Sequence, residues 1–387
     1  MNIVSKNLCT GCGACANGCP SGCIQMHPDG EGFLYPQIDE KKCLHCNKCQ
    51  AICPVANGSR KNPAPGIAFA CKNLDENERT ASSSGGVFAV LAKTILFQGG
   101  VVYGAAMSGD CKNVFHRRVE NEKDLAALQG SKYVQSRIGD VYRQVKEDLS
   151  AFKTVYFSGT PCQVAGLYAY LGKDYDNLYT QDLICHGVPS PLVWEKYVRH
   201  IETVRRASVT QASFRDKTLG WHNFSMRVAL STGASVQEPL NRNAYLNVFL
   251  NNICLRPSCH ECAFKGTERA ADITLADFWG VEKLSPEQDD DKGISLVFAN
   301  SPKGKELFDQ IRERLSVWET DAAAAAAENP AMVRSVKPNE LRTVFMKAIE
   351  KKSFQGALDA VWKPPLSERI KEALKKPLRK IKHLFKK

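Results

Sequence analysis

Residues 154–172, TVYFSGTPCQVAGLYAYLG, and residues 177–201, NLYTQDLICHGVPSPLVWEKYVRHI, decide the fold. Each reads as a strand, a turn carrying Gly or Pro, and a helix. Two such units in succession predict parallel strands joined by a crossover helix, and so an α/β sheet. Cys162 falls just past the end of the first strand and Cys185 at the end of the second. Ligands in open α/β sheets bind at that edge. Two cysteines distant in sequence are therefore expected on one rim, which favours ligation over two inert buried thiols.

The flanking segments extend the pattern. Upstream, RTASSSGGVFAVLAKTILFQGGVVYGAAM reads as a loop, a helix from about Gly86 to Phe97 and a strand over Val101–Met107. Ser82, Ser83, Ser84, Gly85 and Gly86 stand at that helix start. Hydroxyls and free N–H groups there suit an anion as readily as a plain N-cap. LQGSKYVQSRIGD (128–140) is first of all a solvated loop, and secondly a phosphate or flavin contact through Gly130, Lys132 and Tyr133. Downstream, FSMRVAL and ASVQEPL alternate around STG as a hairpin, and a helix over about 242–251 leads to CLRPSCHEC (254–262). ADITLADFWG and GISLVFANS read as further strands, and ETDAAAAAAENP (319–330) as a loop or short helix. There is no GxGxxG, Walker loop or HExxH, so a Rossmann dinucleotide site is not supported.

The first sixty residues carry a separate signal. CTGCGACANGCP (9–20) and CLHCNKCQAICP (43–54) are the same C-x2-C-x2-C-x3-C-P run. Three thiolates of such a run hold one [4Fe–4S] cluster and the fourth reaches the partner cluster. The spacing assigns Cys9, Cys12, Cys15 and Cys53 to one cluster, and Cys43, Cys46, Cys49 and Cys19 to the other. Zinc, which prefers two pairs of ligands, fits this spacing poorly. Cys23 is left over as a small buried hydrophobe.

Composition agrees with this division. Sixteen cysteines in 387 residues, without a secretory leader or a long apolar run, point to metal or redox use in a reducing cytoplasm. The net charge is +11. Residues 363–387 hold ten Lys/Arg against two Glu, or +8, which leaves +3 for the rest and argues against nucleic-acid binding. In that tail Leu366, Ile370, Leu374, Leu378, Ile381 and Phe385 form one apolar stripe on a basic helix. It reads as a helix lying on the inner membrane face, or equally as one packed on the body.

Together GTPCQVAGL, DLICHGVPSP, PSCHECAF and ADITLADFWG, with SSSGG and GSKY upstream, resemble the coenzyme F420 hydrogenase/dehydrogenase beta-subunit family. The resemblance spans about residues 66–350 and implies a bound FAD and a third [4Fe–4S] cluster. By motif, Ser83, Ser84, Gly85, Gly86, Gly130, Ser131, Lys132, Tyr133, Gly159 and Thr160 would bind the flavin. Cys162, Cys185, Cys259 and Cys262 would hold the cluster, with Cys254 spare or, as the alternative, in place of Cys162 or Cys185. Catalytic candidates near these motifs are Lys132, His186 and Lys217, followed by Trp221 and His222.

The expected architecture is thus α/β, α+β overall. A two-cluster ferredoxin domain (1–57) and a linker (58–66) precede a flavin and iron–sulfur catalytic domain (67–350) and a basic amphipathic tail (351–387). The expected function is an FAD-dependent iron–sulfur oxidoreductase exchanging electrons with ferredoxin or a two-electron coenzyme. A true coenzyme F420 oxidoreductase and a non-catalytic electron-transfer subunit of a larger complex are the alternatives.

Overall fold

The computed structural model describes residues 3–362. The expected basic helix over 363–387 lies outside the described residues. Along the chain, helix α1 (Ala14–Gly18) is followed by strands β1 (Ile24–Pro28) and β2 (Leu34–Ile38), then by β3 (Ile67–Asn73). Next come α2 (Val87–Phe97), β4 (Val101–Met107), β5 (Val114–Val119), α3 (Val141–Ser150), β6 (Val155–Ser158), α4 (Pro161–Leu171), β7 (Leu178–Leu183) and α5 (Pro191–Arg205). A three-stranded insertion, β8 (Val209–Asp216), β9 (Ser225–Leu230) and β10 (Ser235–Pro239), leads to α6 (Ala244–Leu250). The remainder is β11 (Ile273–Asp277), β12 (Ser295–Ala299), α7 (Pro302–Ile311), β13 (Leu315–Asp321), α8 (Arg342–Lys351) and α9 (Phe354–Val361).

The main sheet has eight strands in the order β13-β3-β12-β11-β7-β6-β4-β5. β4, β6, β7 and β11 run parallel at its centre, and the antiparallel strands flank them. The predicted crossover from β6 through α4 to β7 is present. Alternation along the strands supplies both faces with core residues. On β4 and β6, Val101, Tyr103, Val155 and Phe157 meet α3 and α4, whereas Val102, Ala106 and Tyr156 meet α2. The ferredoxin module, with its β1–β2 hairpin, sits against the α3–α4 face through Ala14.

One boundary differs from the sequence expectation, and the linker is tied to the body. The body does not end at 350, because Phe354, Ala357 and Leu358 of α9 are buried in the core around Trp194, Tyr197 and Tyr245. Full burial of one such Phe is worth roughly 1.5–3 kcal/mol, so residues 354–361 belong to the body and not to a tail. Nor does the linker hang free. The Asn62 N–H donates to the Arg269 carbonyl (2.8 Å) and its side-chain amide donates to the Ala271 carbonyl (3.0 Å). No helix among the described residues is long and apolar enough to cross a membrane.

Candidate functional site

Helix α4 begins with a capping box: the Thr160 side chain accepts from the Gln163 N–H, and the Gln163 amide oxygen accepts from the Thr160 N–H. Pro161 occupies the first turn, where its missing N–H costs nothing. This start places Cys162 at the sheet edge, with the Thr160 hydroxyl 3.2 Å from its sulfur. Gln163 then donates to Ser136 Oγ (3.0 Å), and Ser136 lies 3.1 Å from His116 Nδ1. The other His116 nitrogen faces the Ser158 carbonyl at 3.0 Å and must donate to it. His116 is therefore neutral, and burial pushes its pKa down to about 4.

Cys162, Cys185, Cys259 and Cys262 line one small cavity of about 30 Å³. Cys185 follows β7, and the short 3-10 turn over Pro257–Glu261 presents the other two. Burial, and then one another's proximity, raise three of the thiols: Cys185 and Cys259 to about 12, and Cys162 further still. Without a cation these three would stay protonated, whereas a bound metal reverses that preference. Arg256, Lys265 and Arg269 share the cavity wall and would offset an anionic occupant. The donor set is all sulfur, which suits an iron–sulfur cluster or zinc. Cys254 is fully buried but does not line this cavity; it packs with the Trp194 core.

In the ferredoxin module Cys12 and Cys15 neighbour Cys9 and Cys53, and Cys49 neighbours Cys19 and Cys43. Seven of the eight expected ligands thus lie near one another in the order that the spacing predicts, Cys46 aside. Burial raises the Cys12 thiol to about 11. Cys23 lies with its sulfur 3.4 Å from that of Cys19, on the edge of the second group. Cys46 is exposed and Cys162 neighbours Cys12. At the α1–α4 contact a Cβ on Gly166 would come 2.9 Å from the Tyr142 hydroxyl and 3.1 Å from the Cys12 sulfur, so a larger residue would push these neighbours aside. The cysteines thus form a row from surface to interior: the Cys43 group, the Cys9 group, then the Cys162 group.

A larger cleft of about 700 Å³ adjoins this row, and Cys185, His186, Gly187 and Val188 line both cavities. Ser83, Ser84, Gly86, Gly130, Ser131, Lys132, Tyr133, Gly159 and Thr160 all line the cleft. The Ser131 N–H donates to Ser83 Oγ (2.7 Å), joining the two polar loops. Gly85 does not belong to this set. A Cβ there would meet the Cys71 carbonyl at 2.2 Å and the Ser295 nitrogen at 2.5 Å, so its role is packing against β3 and β12.

The catalytic candidates separate. Lys132 lines the cleft, donates to the Ala127 and Gln129 carbonyls, and is pushed down to about 7 by burial. Lys217 does not line it. Its ammonium donates to the carbonyls of Arg79 (2.6 Å), Ser84 (2.9 Å) and Lys292 (2.7 Å), so it is a clamp on the serine loop and not an acid. His186 lines the cleft, its Nε2 pairs with Asn252 at 2.7 Å, and its ring meets the edge of Phe249. Trp221 is buried, stacked on Trp279 and donating to Asp277, while His222 reaches the cleft wall. Sequence reasoning missed His116, Gln163, Arg256 and Arg215, which lines the cleft and pairs with Asp277 at 3.2 Å. Only Gln163 had a local signal, the T-x-x-Q capping pattern.

Lys132 gives a pH test. Its folded pKa lies below the unfolded value, so the unfolded state holds more protons between about 7 and about 10.4. Stability from this group is therefore complete above the upper value and is lost as pH falls through the lower one. Anaerobic melting of Lys132→Met across pH 6–10 should show a flatter rise than the parent.

Cysteine runs of the bacterial-ferredoxin type on an α/β body define an iron–sulfur oxidoreductase-type protein. Residues 8–57 match the 4Fe-4S dicluster domain, and residues 152–324 match the family described as the C terminus of the coenzyme F420 hydrogenase/dehydrogenase beta subunit. The family match thus covers residues 152–324, and the dicluster domain stands in front of it. It is 23% identical over 336 residues to the F subunit of the F(420)H(2) dehydrogenase of Methanosarcina mazei, covering 82% of this chain and 86% of that protein. It is 27% identical over 197 residues to the coenzyme F420-dependent sulfite reductase of Methanocaldococcus jannaschii, covering 51% of this chain and 30% of that one. A chain from the structure of the F420-reducing [NiFe] hydrogenase complex of Methanosarcina barkeri aligns at a TM-score of 0.45 and 17% identity, over 78% of this chain and 93% of that chain.

Proposed function

We propose that the protein is an iron–sulfur flavoprotein oxidoreductase that links one-electron carriers to a two-electron partner. One observation carries this reading: the four-cysteine cavity and the large cleft share the Cys185–Val188 wall. Cys162, Cys185, Cys259 and Cys262 would hold a [4Fe–4S] cluster, which exchanges single electrons. FAD in the cleft would exchange either one electron or two. Its volume, about 700 Å³, is within the range of small-molecule and cofactor sites. Ser83, Ser131 and Lys132 offer polar contacts to an anionic cofactor, while Phe88, Leu128 and Phe249 supply apolar wall.

The F420-related names of the relatives support a deazaflavin of that type as the two-electron partner. A role as an electron-transfer subunit is supported by the outer end of the cysteine row. Leu44 is 66% exposed there and Cys46 is exposed, so an external redox protein could approach this group closely. The test is flavin release from anaerobically purified full-length protein. About one FAD per chain is expected by simple stoichiometry, with reduction of its absorbance by reduced F420 or by reduced ferredoxin. Absence of flavin sinks the flavoenzyme reading and leaves the electron-transfer subunit.

A further inference from the structure

The stretch CLRPSCHEC (254–262) contains an arginine that no motif marks. Arg256 is fully buried between the ferredoxin module and the body. Its Nε donates to the Cys9 carbonyl (2.7 Å), Nη1 to the Gln135 amide oxygen (2.9 Å) and Nη2 to the Leu34 carbonyl (2.9 Å). The guanidinium also lies 4.2 Å from the centre of the Tyr35 ring and lines the four-cysteine cavity. One cation therefore touches the backbone of the first cysteine group and the wall of the third. Gly11 makes the space: its φ is +68°, and a Cβ would meet Arg256 Nη1 at 2.8 Å.

All three hydrogen-bond partners are neutral. A buried guanidinium among neutral groups is strongly unfavourable unless an anion lies near. With iron bound, the thiolates of the Cys9 and Cys162 groups would be such anions, and Arg256 acts electrostatically on Cys259. Hydrogen bonding alone would not require a charge at this position, since an uncharged amide could serve one or two of the same acceptors.

We propose that Arg256 is a counter-charge shared by two adjacent cysteine groups, raising the reduction potential of both. The proposal rests on the third group holding an iron–sulfur cluster. A fixed positive charge in a low-dielectric interior favours the state with one more electron. Reduction adds that electron from an external donor and makes or breaks no bond. The Cys43 group, on the outer side of the module, lies beyond this contact. Arg256 is a positioning residue, because it touches Cys9 through its backbone and acts through the charge it supplies.

The experiment uses anaerobically purified full-length protein, with iron quantified first. Potentials then come from dithionite titration followed by electron paramagnetic resonance. Arg256→Gln should keep its iron and shift two of three iron–sulfur signals to lower potential. Each shift should correspond to at least a tenfold change in the reduction equilibrium, about 59 mV for one electron. Arg256→Lys retains the charge and should leave both potentials within twofold of the parent in that equilibrium. Full iron with unmoved potentials in Arg256→Gln overturns the proposal. If Arg256→Gln loses iron, Arg256→Lys decides. Lysine cannot hold three partners in a planar fork, so its iron would also be lost if Arg256 only packed the modules together, and the proposal would fall. Retained iron and potentials in the lysine variant support it. About eight irons in the parent protein would instead remove the third cluster itself, a failure visible before any variant is titrated.

Discussion

Serine at Cys162 or Cys259 is expected to lower the iron content from about twelve per chain to about eight, the difference being one [4Fe–4S] cluster. Cys254→Ser should leave the count unchanged. The reason is geometric. Cys162, Cys185, Cys259 and Cys262 share one cavity, whereas Cys254 sits in the aromatic core and its carbonyl accepts from the Ser190 N–H. Removing one of four thiolates opens the coordination sphere of a cubane; removing a packed thiol only trims a core side chain. Iron and acid-labile sulfide measured on the same anaerobic samples check the prediction. One zinc together with about eight irons in the parent would assign the inner group to zinc. A loss confined to Cys254→Ser would show that the fourth ligand had been chosen wrongly.

The second large effect concerns stability. Arg269 and Asp182 form a buried ion pair at 3.0 Å, with side chains only 2% and 1% exposed. Arg269 also donates to the Leu183 carbonyl, and Asp182 accepts from Thr274 Oγ1 at 2.6 Å. Burial raises the Asp182 pKa although Arg269 pulls it down, so desolvation dominates at this site. Arg269→Met strands the carboxylate and should cost about 3–5 kcal/mol. The double variant Arg269→Met with Asp182→Leu should recover much of that loss, because neither charge is left unpaired. Anaerobic denaturant midpoints for the parent, both single variants and the double variant measure the coupling. Equal loss in the single and double variants would mean that packing, and not the stranded charge, sets the cost.

The features legible in the sequence were those encoded within a few residues. The ferredoxin groups follow from loop spacing alone. Cys162 and Cys185 could be placed on one rim because each ends a strand in a β-α-β-α pattern. What escaped notice was assembled from distant segments. Arg256 meets partners 247, 121 and 222 residues away, and Lys217 gathers three carbonyls from two separate loops. Gly85 was misassigned because SSSGG looks uniform, yet backbone close behind one glycine turns it from the cleft into the packing of two strands. The boundary at 350 was misplaced because the composition changes there. Phe354 and Leu358, four residues apart on one helical face, are the local sign that the core continues.

The ferredoxin module is fastened on several sides. Arg143 donates to the Asn17 and Ala16 carbonyls, Asn17 donates to the Gly139 carbonyl, and Arg342 pairs with Glu31. At Gly166 the fit against Cys12 is tight enough that a methyl group would force the two helices' side chains to shift. A unit held in this way is a fixed socket and not a swinging arm. Under the proposed function a carrier would have to come to the exposed Cys46 face, so encounter frequency there, and not the reach of a tether, would govern the exchange.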